Sequence, residues 1–235
     1  MKKPFLVGLL FGAVTVFLSA GDVASFVDKG FTEDGKYYVF GQYGKTDKKF
    51  QGWAEIYQVD IAKNDYVDEG IFKTKPSAVT AGKNGRDVYE ALEAKSYYYM
   101  KNVKTQPANI DQVFYILDDV NKSGTDAINF TDFRSSDIEN QNSYHIQLVP
   151  TISGTGKNVK SSFYIDVEKK NSSGEVISKW KVGSPDIVRK GVSAYKIERI
   201  FCDKSGKNII FVIEKTINDD TGISIRYMVE AAEFK

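Results

Sequence analysis

The clearest chemical spacing in the chain belongs to Asp119, Asn121, Ser123 and Thr125, within the run DDVNKSGTDAINFTDF at 118–133. Oxygen-bearing side chains at alternate positions, with Gly124 among them for a sharp turn, are how a loop presents ligands to a hard cation such as calcium. The twelfth place of such a loop calls for a bidentate acid, but Phe130 stands there and Asp132 comes two residues late. INFTDF also alternates like a strand where a second helix would be needed. A polar turn between helix and strand is the simpler reading, and calcium is the one cofactor the sequence suggests.

Other chemistry has little to stand on. His145 is the single histidine, and alternation in SYHIQLVP sets it opposite Tyr144, Ile146 and Leu148, facing solvent. No partners at the spacing of a metal ligand set or a catalytic base accompany it. No Gly-x-Ser-x-Gly elbow, phosphate loop or dinucleotide fingerprint is present, and no catalytic residue is assigned. Cys202 is the only cysteine, which excludes an intramolecular disulfide, and IERIFCDKSGK reads as a strand end with a small, partly buried thiol. The 14 tyrosines include pairs and a triplet. Aromatics on sheets are most often cross-strand packing, but they also build ligand platforms. Trp53, Tyr37 and Tyr43, near expected strand ends, are the candidates for ligand binding.

Residues 1–20, MKKPFLVGLLFGAVTVFLSA, order two lysines, an uncharged apolar run and a Ser-Ala pair, the plan of a secretory signal peptide cut after Ala20. The mature chain 21–235 then loses Lys2 and Lys3, which leaves 30 basic and 31 acidic residues of the original 32 and 31. That balance gives no drive toward nucleic acid or anionic membranes, and no later segment is apolar enough to span a bilayer. A periplasmic or secreted location follows, with an envelope component or another protein as the expected partner.

These residues need elements to hold them. FTEDGKYYVFGQYG at 31–44 is an Asp-Gly turn feeding a strand, and GKYYVF at 35–40 matches GKNIIF at 206–211. QGWAEIYQVD at 51–60 likewise matches TGISIRYMVE at 221–230 after one deleted position. The two ends of the chain are therefore expected to form related three-stranded meanders, at 24–32, 36–43 and 52–61 and at 195–202, 208–215 and 223–231. Further strands are expected at 127–133, 144–151, 163–168 and 176–182. Between them the period changes. Asn84 as a cap with Val88, Leu92 and Tyr99 predicts one helix, and Pro107 with Ile110, Val113, Phe114 and Leu117 predicts a second over 107–117. The expectation is a single domain of α+β type, predominantly antiparallel β, with an inserted αα hairpin; a small or incomplete β-propeller is the alternative, given the likeness of Asp-Gly-Lys plus an apolar strand to periplasmic propeller repeats.

The opening block GDVASFVDKGFTEDGKYYVFGQYG, then QGWAEIYQVDIAKNDYV, INFTDF, YHIQLVP, KVGSP, FVIEK and IRYMVE, taken in that order, resemble an uncharacterised bacterial family of predicted secreted proteins, a domain of unknown function. The resemblance implies export and brings no substrate, cofactor or catalytic residue. Taken together, the sequence favours an exported non-enzymatic binding protein. A carboxylate-dependent exported hydrolase and a calcium-stabilised binding module are the alternatives.

Overall fold

The computed structural model describes residues 22–118, 127–132, 141–219 and 222–234. The chain opens with β1 (Ser25–Thr32), β2 (Tyr37–Lys45), β3 (Gly52–Asp60) and β4 (Asp65–Thr74), each paired antiparallel with the next. Helix α1 (Gly85–Val103) follows, and the two-residue β5 (Thr105–Gln106) then joins the free side of β1. A central stretch supplies β6 (Val113–Ile116), β7 (Ile128–Thr131), β8 (Ser143–Ser153), β9 (Lys160–Lys170) and β10 (Val176–Lys190). The chain closes with β11 (Val192–Cys202), β12 (Asn208–Asp219) and β13 (Gly222–Glu233). Three sheets result, ordered β4-β3-β2-β1-β5, β10-β9-β8-β7 and β13-β12-β11-β6.

The last of these sheets lies between the other two, and β12 shows why. Its run NIIFVIEK is apolar at consecutive positions, as a strand covered on both faces must be. Ile209, Phe211 and Ile213 pack with Ile146, Leu148, Phe163 and Ile165 of the β10–β7 sheet. Ile210 and Val212, pointing the other way, pack with Tyr38, Phe40 and Val59 of the first sheet. The far face of the first sheet is covered by α1, whose Val88, Tyr89 and Leu92 bury Val39, Ala54 and Ile56. The hydroxyl end of Tyr89 packs on Gly41, where a Cβ would come within 2.4 Å of its ring, so the helix can sit this low only over glycine. Asn84 caps α1, its side chain accepting from Arg86 N, and Asp87 falls in the first turn, both favourable at a helix N-terminus.

Two expectations are corrected. The αα hairpin is one helix: residues 107–117 form a 3-10 turn, Ile110–Gln112, and then β6, which pairs with β11. The helical spacing there was an accident of composition, since Ile110 is 81% exposed and carries no buried stripe. Val113, Phe114, Tyr115 and Ile116 are strand formers, and extending the edge of the central sheet satisfies their backbone while Phe114 packs on Phe130 and Tyr144, at 5.0 and 6.0 Å between ring centroids. The propeller alternative also falls, because the sheets stack face to face instead of radiating as blades. β4 was not foreseen: DYVDEGIFKT is rich in acids and has a central glycine, and as an edge strand it needs only one partner.

Candidate functional site

Two hairpin turns far apart in sequence meet at one end of the molecule. The first, between β1 and β2, is closed by Asp34, whose Oδ1 accepts from Thr32 Oγ1 at 2.7 Å and Lys36 N at 3.1 Å. The second, between β11 and β12, is closed by Asp203 in the same way. Asp203 Oδ1 accepts from the backbone of Lys207 (3.1 Å) and Asn208 (3.2 Å), and its Oδ2 accepts from Ser205 Oγ (2.8 Å). Asn208 then locks the turns together, its Nδ2 donating to Asp203 Oδ2 at 2.9 Å and to the carbonyl of Gly35 at 3.0 Å. Gly35 has φ +68°, and a Cβ there would stand 2.8 Å from Asn208 Nδ2, so glycine is required twice over.

A cleft of about 630 Å3 opens beside this junction. Glu33 and Asp34 of the first turn and Lys204, Ser205 and Lys207 of the second form two of its walls. Lys104, the residue that ends α1 at φ 53°, Gln106 and Gln112 of the following link, and Glu233 at the end of β13 supply the rest. Gln112 is itself held in place, donating from Nε2 to Cys202 O at 3.1 Å. Hydrogen bonds from the Thr32 hydroxyl and the Lys36 N–H hold the Asp34 carboxyl below its ordinary pKa. A cleft of this volume lies within the range of small-ligand sites, about 300–1,000 Å3.

The aromatic residues expected to bind ligand are not brought together. Trp53 is 3% exposed, and its expected place on an exposed platform is corrected. Its Nε1 donates to Asp22 Oδ2 at 2.8 Å while the Arg226 guanidinium lies 3.9 Å above its ring and pairs with the same carboxylate at 2.6 Å. Tyr43 faces the opposite side of the sheet, against Tyr89 under α1, at 5.5 Å between centroids. Tyr37 sits opposite Asp60, six residues along β2 from Tyr43, roughly 20 Å away at strand rise. The calcium candidates Asp119, Asn121, Ser123 and Thr125 lie outside the described residues. Among the described residues no group of three or more His, Cys, Asp or Glu could hold a metal ion. His145 stands 2.7 Å from Asn129 Oδ1 across β7 and β8, a strand-surface pair. Cys202 is fully buried, beyond the partial burial expected of it.

The residues that line the cleft were missed because their proximity is long-range. The one signal available was the match of GKYYVF with GKNIIF, which aligns the two turns but does not say that they touch. Among the described residues, the carboxyls of Glu214 and Glu230 have pKa values raised by burial, and neither lines the cleft. Glu230 is tied to Asn64 Nδ2 at 2.6 Å and to Arg189 at 3.3 Å. No described helix is long and apolar enough to cross a membrane.

A family model described as a predicted secreted protein of unknown function matches residues 39–233. No curated protein matches the chain.

Proposed function

This chain belongs to that family of predicted secreted proteins of unknown function, and from this premise we propose that it is a non-enzymatic binding protein that holds a small polar envelope component in the cleft between its two hairpin turns. A periplasmic or secreted location is what the family description supports. The carrying observation is the junction itself: three hydrogen bonds to Asp203 brace the second turn, and Asn208, one of its donors, also donates to Gly35 O of the first turn, which preorganises a polar concavity before any ligand arrives. The chain ends that supply these turns read as copies of one three-stranded unit, each closed by an Asp and a positive-φ glycine, Gly35 and Gly206.

Binding is favoured over hydrolysis by the direction of the carboxyl shifts. A general acid needs a raised pKa near the reacting bond, whereas Asp34 is lowered and the raised pair, Glu214 and Glu230, stands outside the cleft. Calcium at the 119–125 loop forms no part of this reading.

The test is retention from envelope extract on the immobilised chain 21–235, beside a variant with Gln106→Trp and Lys204→Trp to fill the cleft from two exposed positions. The wild type should retain a glycan or small solute that the filled variant releases. Recovery of nothing, or equal recovery by both proteins, would remove the reading.

A further inference from the structure

Lys215 interrupts an apolar row. On the face of β12 turned toward the β10–β7 sheet, Ile209, Phe211 and Ile213 precede it and Ile217 follows, and all four pack in the core there. Its cross-strand neighbours are Tyr195 on β11 and Arg226 on β13. The Tyr195 hydroxyl lies 2.7 Å from Ser161 Oγ, while the Lys215 ammonium makes no hydrogen bond or ion pair with a described residue. The charges acting on it come from Arg189 on β10, Glu55 on β3, Arg226 on β13 and Lys73 on β4. Each acid of this group is held by a cation other than Lys215: Glu230 by Arg189 at 3.3 Å, Asp22 by Arg226 at 2.6 Å and Glu55 by Lys73 at 3.8 Å. Four cations thus meet three acids, and the one left over is the lysine in the apolar row. A charge withdrawn from water without a partner is destabilising, and an apolar side chain at this place would avoid that cost.

We propose that the Lys215 amine takes up carbon dioxide as a carbamate, at a site separate from the cleft, whose lining does not include it. Burial first, then Arg189, Arg226 and Lys73, push its ammonium down to about 8, with Glu55 opposing. At pH 8 about half of such a group is the neutral amine, against roughly one in a few hundred for an ordinary lysine. An amine stripped of its proton by burial and neighbouring cations is an activated nucleophile. Its lone pair forms the N–C bond to CO2, one C–O π pair moves onto oxygen, and a proton leaves the nitrogen for solvent, so no oxidant or further reactant is needed. The product carries −1 where the ammonium carried +1. Three of the four charges acting on the position are positive, so the field that disfavours an ammonium favours the carbamate. CO2 also suits a half-buried amine because it is small and uncharged, and it reaches the nitrogen without carrying a charge out of water.

Carbon-13 NMR of the chain 21–235, equilibrated with labelled bicarbonate between pH 7.5 and 8.5, tests this. The wild type should show a carbamate resonance beside that of the chain's α-amino group, whose ordinary pKa is also about 8 and which serves as the internal control. Lys215→Met and Lys215→Arg should lose the first resonance and keep the second. Alkylation of the wild-type carbamate with triethyloxonium ion, followed by peptide mass spectrometry, should place the adduct on Lys215 without recourse to any variant. A resonance from the α-amino group alone, equal spectra from the wild type and the folded variants, or adducts on other lysines with Lys215 unmodified, would overturn the carbamate and leave the cleft as it stands.

Discussion

Lys215 shows how far single residues depart from what a sequence suggests. It is half-buried on β12, and burial first, then Arg189, Arg226 and Lys73, push its ammonium down to about 8, with Glu55 opposing. The folded pKa lies below the unfolded value of 10.5, so the unfolded chain binds the proton more tightly and stability rises as pH climbs from about 8 to 10.5. Lys215→Met should therefore be more stable than the wild type at pH 7 in chemical denaturation, with the gap closing across that window; a gap independent of pH would contradict the burial. Trp53 teaches the same lesson from the other side. Alternation along β3 correctly separates Trp53, Tyr57 and Val59 from Ala54, Ile56 and Gln58. It cannot reveal that α1 covers one set and the central sheet the other, so a strand position read as open became the seat of a buried Asp22–Arg226 pair.

At the scale of elements, β13 ends the central sheet, and an edge left with unpaired strand groups invites association. The first sheet and the chain just ahead of it close that edge with single groups. Ala24 N donates to Ile225 O at 3.1 Å and Ile225 N to Asp22 O at 2.9 Å. The Gln42 amide imitates a strand, accepting from Tyr227 N at 2.8 Å and donating to Tyr227 O at 3.2 Å, and Asn64 Oδ1 accepts from Ala231 N at 2.5 Å. Gln42→Ala should cost about 1–3 kcal/mol by leaving two buried backbone groups unpaired. Together with Asn64→Ala it should produce concentration-dependent dimers in sedimentation; an unchanged monomer with unchanged stability would show the edge needs no such cover. Strands closed by local turns were legible because Asp34-Gly35 and Ser205-Gly206 announce them. α1 was legible from its cap and its stripe. β6 was not, because only its partner β11, more than eighty residues away, decides that VFYI extends a sheet.

For the whole molecule, the stacking of the three sheets formed by the described residues, with α1 outside them, lies beyond any local pattern. The doubly apolar run of β12 was its nearest trace in the sequence. The cleft depends on the same long-range order: Asn208 and Gly35 are 173 residues apart, and neither carries a catalytic or ligand-binding signature of its own. The expectation of a periplasmic or secreted location, by contrast, agrees with the family description of a predicted secreted protein. The most direct measurement is an amide chemical-shift map of the chain 21–235 with and without the envelope fraction that it retains. Binding in the cleft predicts shifts concentrated at Gly35, Gln106, Ser205, Lys207 and Asn208. Shifts gathered elsewhere, with these five amides unmoved, would contradict it.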